Sequence, residues 1–258
     1  MSKVLKAAAV LLVVVLLWLL APGGGVPILA YHQISSAPEI YSIDPEQFEE
    51  QLQYLRSHGY TAISLAELFA ARNGGQPLPP KPVIITFDDG YDDNYLTALP
   101  LMQKYGMRGG TVFMIAGQVG QPGYLTWAQL AGMQAAGIEI GSHTYSHVAL
   151  SELNQDRLLN ELVRSRQVLA SNLATPVAFL AYPFGQYNAA TVAAVKQAGY
   201  TGACTGLPGL GTTDADAYQL KRVNIPRPKY GLWEFRLRLL RAHLYAKLAP
   251  LQSWLISW

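Results

Sequence analysis

Short apolar runs closed by turn residues recur along this chain, and between them lie longer stretches with apolar residues at helical spacing. Runs of the first kind predict buried strands, and stretches of the second predict amphipathic helices. Residues 27–31 read as the first strand. Asp44 and Pro45 then open a helix through Phe48, Leu52 and Leu55, with Asp44 as N-cap, Pro45 in the first helical position and Gly59 at the end. Residues 60–64 predict a short strand, 65–72 a short helix, and 73–80 a loop rich in Gly and Pro. Next comes the most uniform apolar run, 83–87, which stops at Asp88-Asp89-Gly90. A helix over 94–105 with Gly106 as C-cap follows, then a strand over 111–115, a helix from the cap Thr126 to about Ala136, and a strand over 138–140.

The pattern continues with the longest amphipathic helix, 150–173, to which no chemistry is assigned. Residues 177–182 predict a strand ending in Pro183-Phe184-Gly185, 189–198 a helix, 202–205 a strand, 206–218 a loop, and 220–225 a last strand that contains Arg222. Strands alternating with helices in this rhythm mean βα units, hence an α/β fold with a parallel sheet or barrel. With 258 residues, of which 50% are hydrophobic and 14% charged, one such domain is expected.

Charge and cysteine content narrow the partners. A formal net charge of +2 gives no nucleic-acid footprint. The single cysteine, Cys204, excludes an internal disulfide and a cysteine metal cluster. The N-terminus differs in kind, because Lys3 and Lys6 precede an unbroken apolar run over 7–21, followed by Pro22 and three glycines. Residues 1–25 therefore read as a signal anchor or signal peptide with a glycine linker, and retention as an anchor is favoured over cleavage. The expectation is a membrane contact through this segment, with the domain outside the cytoplasm.

Functional groups in parallel α/β architectures gather at the C-terminal ends of the strands, since those ends share one face. His32 follows one predicted strand, Asp88 and Asp89 another, His143 and His147 a third, and Pro183-Phe184 a fourth. Such joint placement argues for one site. If Ser142 starts a helical turn, His143 and His147 share a face and can present two imidazoles to one metal. One Asp and two His make a three-ligand set with an open position for water, which leaves a second carboxylate as a base and His32 as the available acid. The same three ligands also describe the facial triad of non-haem iron oxygenases. A base beside the ligand has no evident use in that chemistry.

Thr86-Phe87-Asp88-Asp89-Gly90 and Ser142-His143-Thr144-Tyr145-Ser146-His147 resemble the first two motifs of the polysaccharide deacetylases, carbohydrate esterase family four. The resemblance covers roughly 27–227 and implies a distorted (β/α) barrel, in a single domain, that removes acetyl groups from N-acetylated sugar polymers. It implies Asp88 as general base, Asp89, His143 and His147 as ligands of a divalent metal, usually Zn2+, and the Tyr91 backbone N–H as an oxyanion donor. Two positions depart from the family pattern. Ala181 stands where the third motif usually carries an arginine, and no Leu-x-His occurs near the C-terminal end of the domain. Both departures are shared by the branch that resembles the exported poly-β-1,6-N-acetylglucosamine deacetylases, in which an N-terminal Tyr-His, matched by Tyr31-His32, supplies the acid. Tyr182, Pro183 and Phe184 are candidates for substrate contact, and Arg222 is a candidate to replace the lost arginine.

The sequence thus divides into 1–25, a catalytic domain over 26–229, and a basic amphipathic tail over 230–258. In the tail, Trp233, Leu237, Leu240 and Leu244 share one helical face and Glu234, Arg238 and Arg241 another, consistent with a terminal helix packed on the barrel or with an interfacial helix on anionic lipid. The expected activity is metal-dependent N-deacetylation of a β-linked N-acetylglucosamine polymer. Chitin-like or peptidoglycan substrates, and an inactive carbohydrate-binding homologue, stand as alternatives.

Overall fold

The computed structural model describes residues 24–212 and 216–256, together with Leu5, Val10 and Val13, and for 249–256 the backbone alone. The leader expected over 1–25 thus lies almost wholly outside the described residues. Among the described residues, no helix is long and apolar enough to cross a membrane. In chain order the elements are β1 (Ile28–Tyr31), α1 (Pro45–Ser57), β2 (Thr61–Ala62), α2 (Leu65–Arg72), β3 (Pro82–Phe87), α3 (Leu99–Lys104), β4 (Thr111–Met114) and α4 (Trp127–Ala135). They continue with β5 (Glu139–Ser142), α5 (Gln155–Ala170), β6 (Phe179–Ala181), α6 (Ala189–Gln197), β7 (Gly202–Pro208), β8 (Leu220–Asn224) and α7 (Leu232–Ile256).

Every strand pairing is parallel, and β1 pairs with both β3 and β8, so the order β1-β3-β4-β5-β6-β7-β8 closes on itself. The result is a seven-stranded parallel barrel ringed by helices, to which β2 adds by pairing with the first two residues of β3. This is the distorted (β/α) barrel that the motifs imply.

Alternation along the strands decides which side chains enter the barrel. Ile28, Ile84, Phe113, Phe179, Ala181, Cys204 and Leu220 belong to one buried cluster. Their neighbours Leu29, Val83, Ile85, Val112, Leu180, Ala203 and Val223 belong to another, shared with the helix residues Phe48, Leu52, Leu55 and Leu162. The first set faces inward and the second faces the helices. Gly141 takes the inward position of β5 because a Cβ there would lie 2.6 Å from the Phe113 ring.

Three predicted helices differ in detail. Residues 94–105 are not one α-helix: Asn94–Ala98 is π-helical and hands over to α3. Pro100 has no N–H for the Leu96 carbonyl and its ring crowds that group, so the wider turn relieves an α-helical clash. The helix expected over 150–173 is a 3-10 turn, Leu150–Glu152, followed by α5, because the Asn154 side chain accepts from the Arg157 N–H and starts a new helix. The C-terminal helix packs on the barrel through Phe235, Leu239 and Ala242, not through its Trp233 and leucine face.

Glu139 is an acidic residue at the base of β5. Its carboxylate accepts from the Thr111 hydroxyl at 3.0 Å and from the backbone N–H groups of Leu65 and Ala66 at the start of α2. Burial outweighs these bonds and pushes the carboxyl up to about 7. A folded value above the unfolded one means that the group's stabilisation is complete below the unfolded value and is lost as pH rises through 7. Glu139→Gln is therefore expected to flatten the fall in stability between pH 5 and pH 8.5 by roughly 1–3 kcal/mol, read from urea unfolding at both pH values.

Candidate active site

The site is built at the C-terminal end of β3. Val83 to Phe87 are fully buried, and the ladder with β1 continues one residue further through the Asp88 N–H, which donates to the Tyr31 carbonyl at 2.9 Å. Asp88 thus keeps the inward parity of Ile84 and Thr86. Arg222 keeps the inward parity of Leu220 on β8, and the two meet inside the barrel. Both Arg222 terminal nitrogens donate to the Asp88 carboxylate at 2.7 Å, its Nε donates to the Thr205 carbonyl at 3.0 Å, and one terminal nitrogen reaches the Thr86 hydroxyl at 3.3 Å. Burial alone would raise the Asp88 carboxyl. The Arg222 charge, helped by His143 and His32, instead holds it well below the usual carboxylate range. The arginine absent at position 181 is matched here by one from a different strand.

Asp89 has outward parity, but the backbone turns it back. Its φ is +73° and that of Gly90 is +81°, two successive left-handed residues. Such a conformation costs a non-glycine residue on the order of 1 kcal/mol and persists where the surroundings enforce it. Thr144, His147 and Phe184 are also left-handed, so four of the five non-glycine residues with positive φ among those described lie in these loops. The histidine pair is accordingly not on a helical turn. Ser142 is the last residue of β5, and His143 and His147 are brought together by a loop with left-handed residues at Thr144 and His147.

Asp89 Oδ1 lies 3.5 Å from His143 Nε2 and 3.4 Å from His147 Nε2. Three ligand atoms of these residues lie within 4.8 Å of one another. The His143 Nδ1 is 2.8 Å from the Ala181 carbonyl, which can only accept, so that nitrogen carries the proton and Nε2 turns its lone pair toward Asp89. Burial lowers the His143 imidazole to about 4 and also lowers His147, so both are neutral near pH 7. Burial and the neighbouring Asp88 charge push the Asp89 carboxyl up to about 6. Asp89 Oδ1 is buried and has no hydrogen-bond partner. Acceptors thus face one another with no donor between them, and a divalent cation fits that donor set.

The loop between the histidines is held from α5. One Glu161 carboxylate oxygen accepts from the N–H groups of Tyr145 and Ser146 at 3.1 and 2.9 Å, and the other accepts from the Ser146 hydroxyl at 2.7 Å. Sequence reasoning gave this helix no chemistry. The available signal was an acidic residue beside the buried positions Leu158, Leu162 and Ser165. Glu161→Ala is expected to weaken Zn2+ binding about 10- to 100-fold, read by competition with a chromogenic chelator.

His32, with the inward parity of Ile28 and Ala30, shares a cleft with Asp88, Asp89, His143, His147 and Phe184. Its ring stacks on Tyr41 at a centroid distance of 4.6 Å, and its Nδ1 is buried without a partner. The Asn94 amide donates to the His32 carbonyl at 2.8 Å and to Asp93 at the same distance, which ties the His32 loop to the π-helical turn after the Asp-Asp-Gly motif. Neither Tyr41 nor Asn94 was picked out from the sequence: nothing local marks the Asn94 contact across more than sixty residues, and Tyr41 lies in a loop with no motif of its own.

The remaining candidates separate. Phe184 is 65% exposed at the cleft rim, 4.7 Å from the His147 ring. Tyr182 is a buried wall residue whose hydroxyl donates to the Tyr218 carbonyl at 3.0 Å, and Pro183 is buried in the turn Pro183–Gly185. The Tyr91 hydroxyl bonds the Asp89 carboxylate, and its ring stacks on Tyr124 at 5.3 Å.

Known proteins resemble this chain in sequence and in fold. Residues 75–203 match the family model described as polysaccharide deacetylase. YxkH of Bacillus subtilis (strain 168), a protein assigned to the polysaccharide deacetylases, is 34% identical over 200 residues, covering 78% of this chain and 71% of that protein. The poly-β-1,6-N-acetyl-D-glucosamine N-deacetylase of Staphylococcus aureus (strain MRSA252) is 30% identical over 181 residues. That match covers 64% of this chain and 62% of the relative, so the chain spans under two thirds of the relative's length. The solved structure of the Streptococcus pyogenes deacetylase PplD in complex with acetate is similar at a TM-score of 0.77 and 27% identity, over 86% of this chain and 99% of that one.

Proposed function

This chain belongs to the polysaccharide deacetylase family, and from that premise we propose that it is a metal-dependent N-deacetylase of a β-linked N-acetylglucosamine polymer. The observation that carries the reading is the convergence of Asp89, His143 and His147 beside an arginine-pinned Asp88, with His32 in the same cleft. Asp89, His143 and His147 would hold a divalent metal, with Zn2+ favoured by the two imidazoles. When bound, that ion supplies a Lewis acid for the amide carbonyl and lowers the pKa of water.

The protein's own groups then have distinct tasks. Asp88, fixed by Arg222 through both oxygens, takes the proton of the attacking water on an outward lone pair. The Tyr91 backbone N–H donates to the carbonyl oxygen as charge develops there. His32 hands a proton to the departing amine nitrogen, and acetate and a free amino sugar result. Phe184 offers an exposed ring for a sugar face at the rim, while Tyr182 and Pro183 shape the wall behind it. The β-1,6 linkage is favoured by the Tyr31-His32 pair and by the similarity to the Staphylococcus aureus enzyme. Residues 26–229 would form the catalytic unit, held outside the cytoplasm by the apolar run over 7–21.

The test is acetate release from β-1,6- and β-1,4-linked N-acetylglucosamine oligomers by the Zn2+-loaded protein. Asp88→Asn and His32→Ala are each expected to slow release by about 10²- to 10⁴-fold, with the β-1,6 series preferred by the unaltered protein. Oligomer binding without acetate release by the metal-loaded protein would instead identify a carbohydrate-binding homologue.

A further inference from the structure

The packed face of α7 is Phe235, Leu239 and Ala242, flanked by Leu232 and Ala246, and it joins the main core. Trp233, Leu237, Leu240, Leu244 and Leu248 follow at spacings of four and three on the opposite side. Trp233 is 61% and Leu240 41% exposed. Nothing in the barrel requires this second stripe, since the helix is already seated by its first. Cations line both of its edges, Arg236 and Lys247 on one and Arg241 on the other, where Arg238 is ion-paired with Glu234 at 2.7 Å, so both edges remain net basic. Arg236 and Arg241 are exposed. Beside the second edge, a groove of about 220 Å³ between α7 and the barrel wall is lined by Pro208, Gly209, Val223, Arg238, Arg241 and Tyr245. The Arg241 guanidinium and the Tyr245 hydroxyl point toward each other there at 2.9 Å.

We propose that α7 is an interfacial helix whose Trp233-to-Leu248 stripe lies in the headgroup layer of an anionic phospholipid bilayer, with Arg241 and Tyr245 receiving a lipid phosphate. An apolar stripe one face wide lies in the plane of the interface, whereas crossing a bilayer takes about 20 consecutive apolar residues. A second copy of this chain is a poor occupant. Two identical stripes placed face to face would set basic edges against basic edges. An anionic lipid surface meets both edges with the opposite charge, and a tryptophan at the rim suits the boundary between headgroups and acyl chains.

The experiment uses the full chain with an environment-sensitive nitrobenzoxadiazole label at Leu240→Cys, Cys204 being buried and inaccessible to the reagent. A control label is placed at Asn160→Cys on the exposed side of α5. Vesicles are phosphatidylcholine alone, or one part phosphatidylglycerol to two parts phosphatidylcholine. The expected result is a severalfold rise and blue shift of the label at 240 with the anionic vesicles only, no change at 160, and loss of the response when Arg236→Glu and Arg241→Glu are combined. Acetate release from soluble oligomers should stay unchanged in these variants, which checks that they are folded. A label at 240 that stays as water-exposed with anionic vesicles as in buffer would overturn the proposal. So would a blue shift already present without vesicles, which would mean that another copy covers the stripe. Neither readout depends on catalysis, so failure here is separable from failure of the deacetylase reading.

Discussion

Arg222→Ala is expected to cost about 3–5 kcal/mol of stability and to slow acetate release at least a hundredfold, because it strands a buried carboxylate. Asp88 and Arg222 are each 3% exposed, and the guanidinium makes two 2.7 Å bonds to the carboxylate besides those to Thr205 and Thr86. Removing the arginine leaves the desolvation of Asp88 uncompensated. Removing both partners should be cheaper than removing one: Asp88→Leu with Arg222→Met fills the same inward positions with apolar groups and is expected to recover more than half of the loss. Arg222→Lys should fall between, since one ammonium cannot reproduce the planar fork on two oxygens. Urea unfolding of the four proteins measures all of this. A loss below about 1 kcal/mol in Arg222→Ala, the range of exposed pairs, would mean that the pair does not organise the barrel interior.

Placement at strand ends, which was visible in the sequence together with the two motifs, accounts for much of the site, and its limits are physical. His32, Asp88, His143 and Arg222 all sit at positions whose parity, counted from Ile28, Ile84, Gly141 and Leu220, points inward. Motif and strand-end placement pointed to His32, Asp88 and His143, and the inward parity seen in the structure explains how they meet Arg222 from a fourth strand. Asp89 and His147 reach the same point only through left-handed backbone, which no pattern of apolar residues encodes for non-glycine positions. The helical turn expected for the histidine pair failed for that reason: spacing of four fits a helix and fits this loop equally well. Glu161 and Asn94 were illegible for another reason. Their work is to satisfy backbone groups of loops far away in sequence, and a polar residue on a helix looks the same whether it faces water or a remote N–H. The helix boundaries that moved did so at Pro100 and Asn154, where a missing donor and a capping side chain overrode the apolar period.

The last expectation turns on the orphaned carboxylate oxygen. In protein stripped of metal with a chelator, Asp89→Asn is expected to be more stable than the unaltered chain, by about 1–3 kcal/mol, although it removes a ligand. Asp89 Oδ1 is buried without a partner and faces the lone pair of His143 Nε2 at 3.5 Å. An asparagine amide in that place can turn a donor toward the same imidazole, keep its oxygen for the Tyr91 hydroxyl, and tolerate the φ of +73°. With Zn2+ present the order should reverse. A ligand that binds only the folded state stabilises it by about 4 kcal/mol at a thousand times its dissociation constant, and the asparagine variant, with one anionic ligand fewer, should gain little of this. Four thermal denaturation curves decide the matter, two proteins each with chelator and with Zn2+. A variant less stable than the unaltered chain in both conditions, or stabilised equally by Zn2+, would mean that the strain around Asp89 is not held in readiness for a cation.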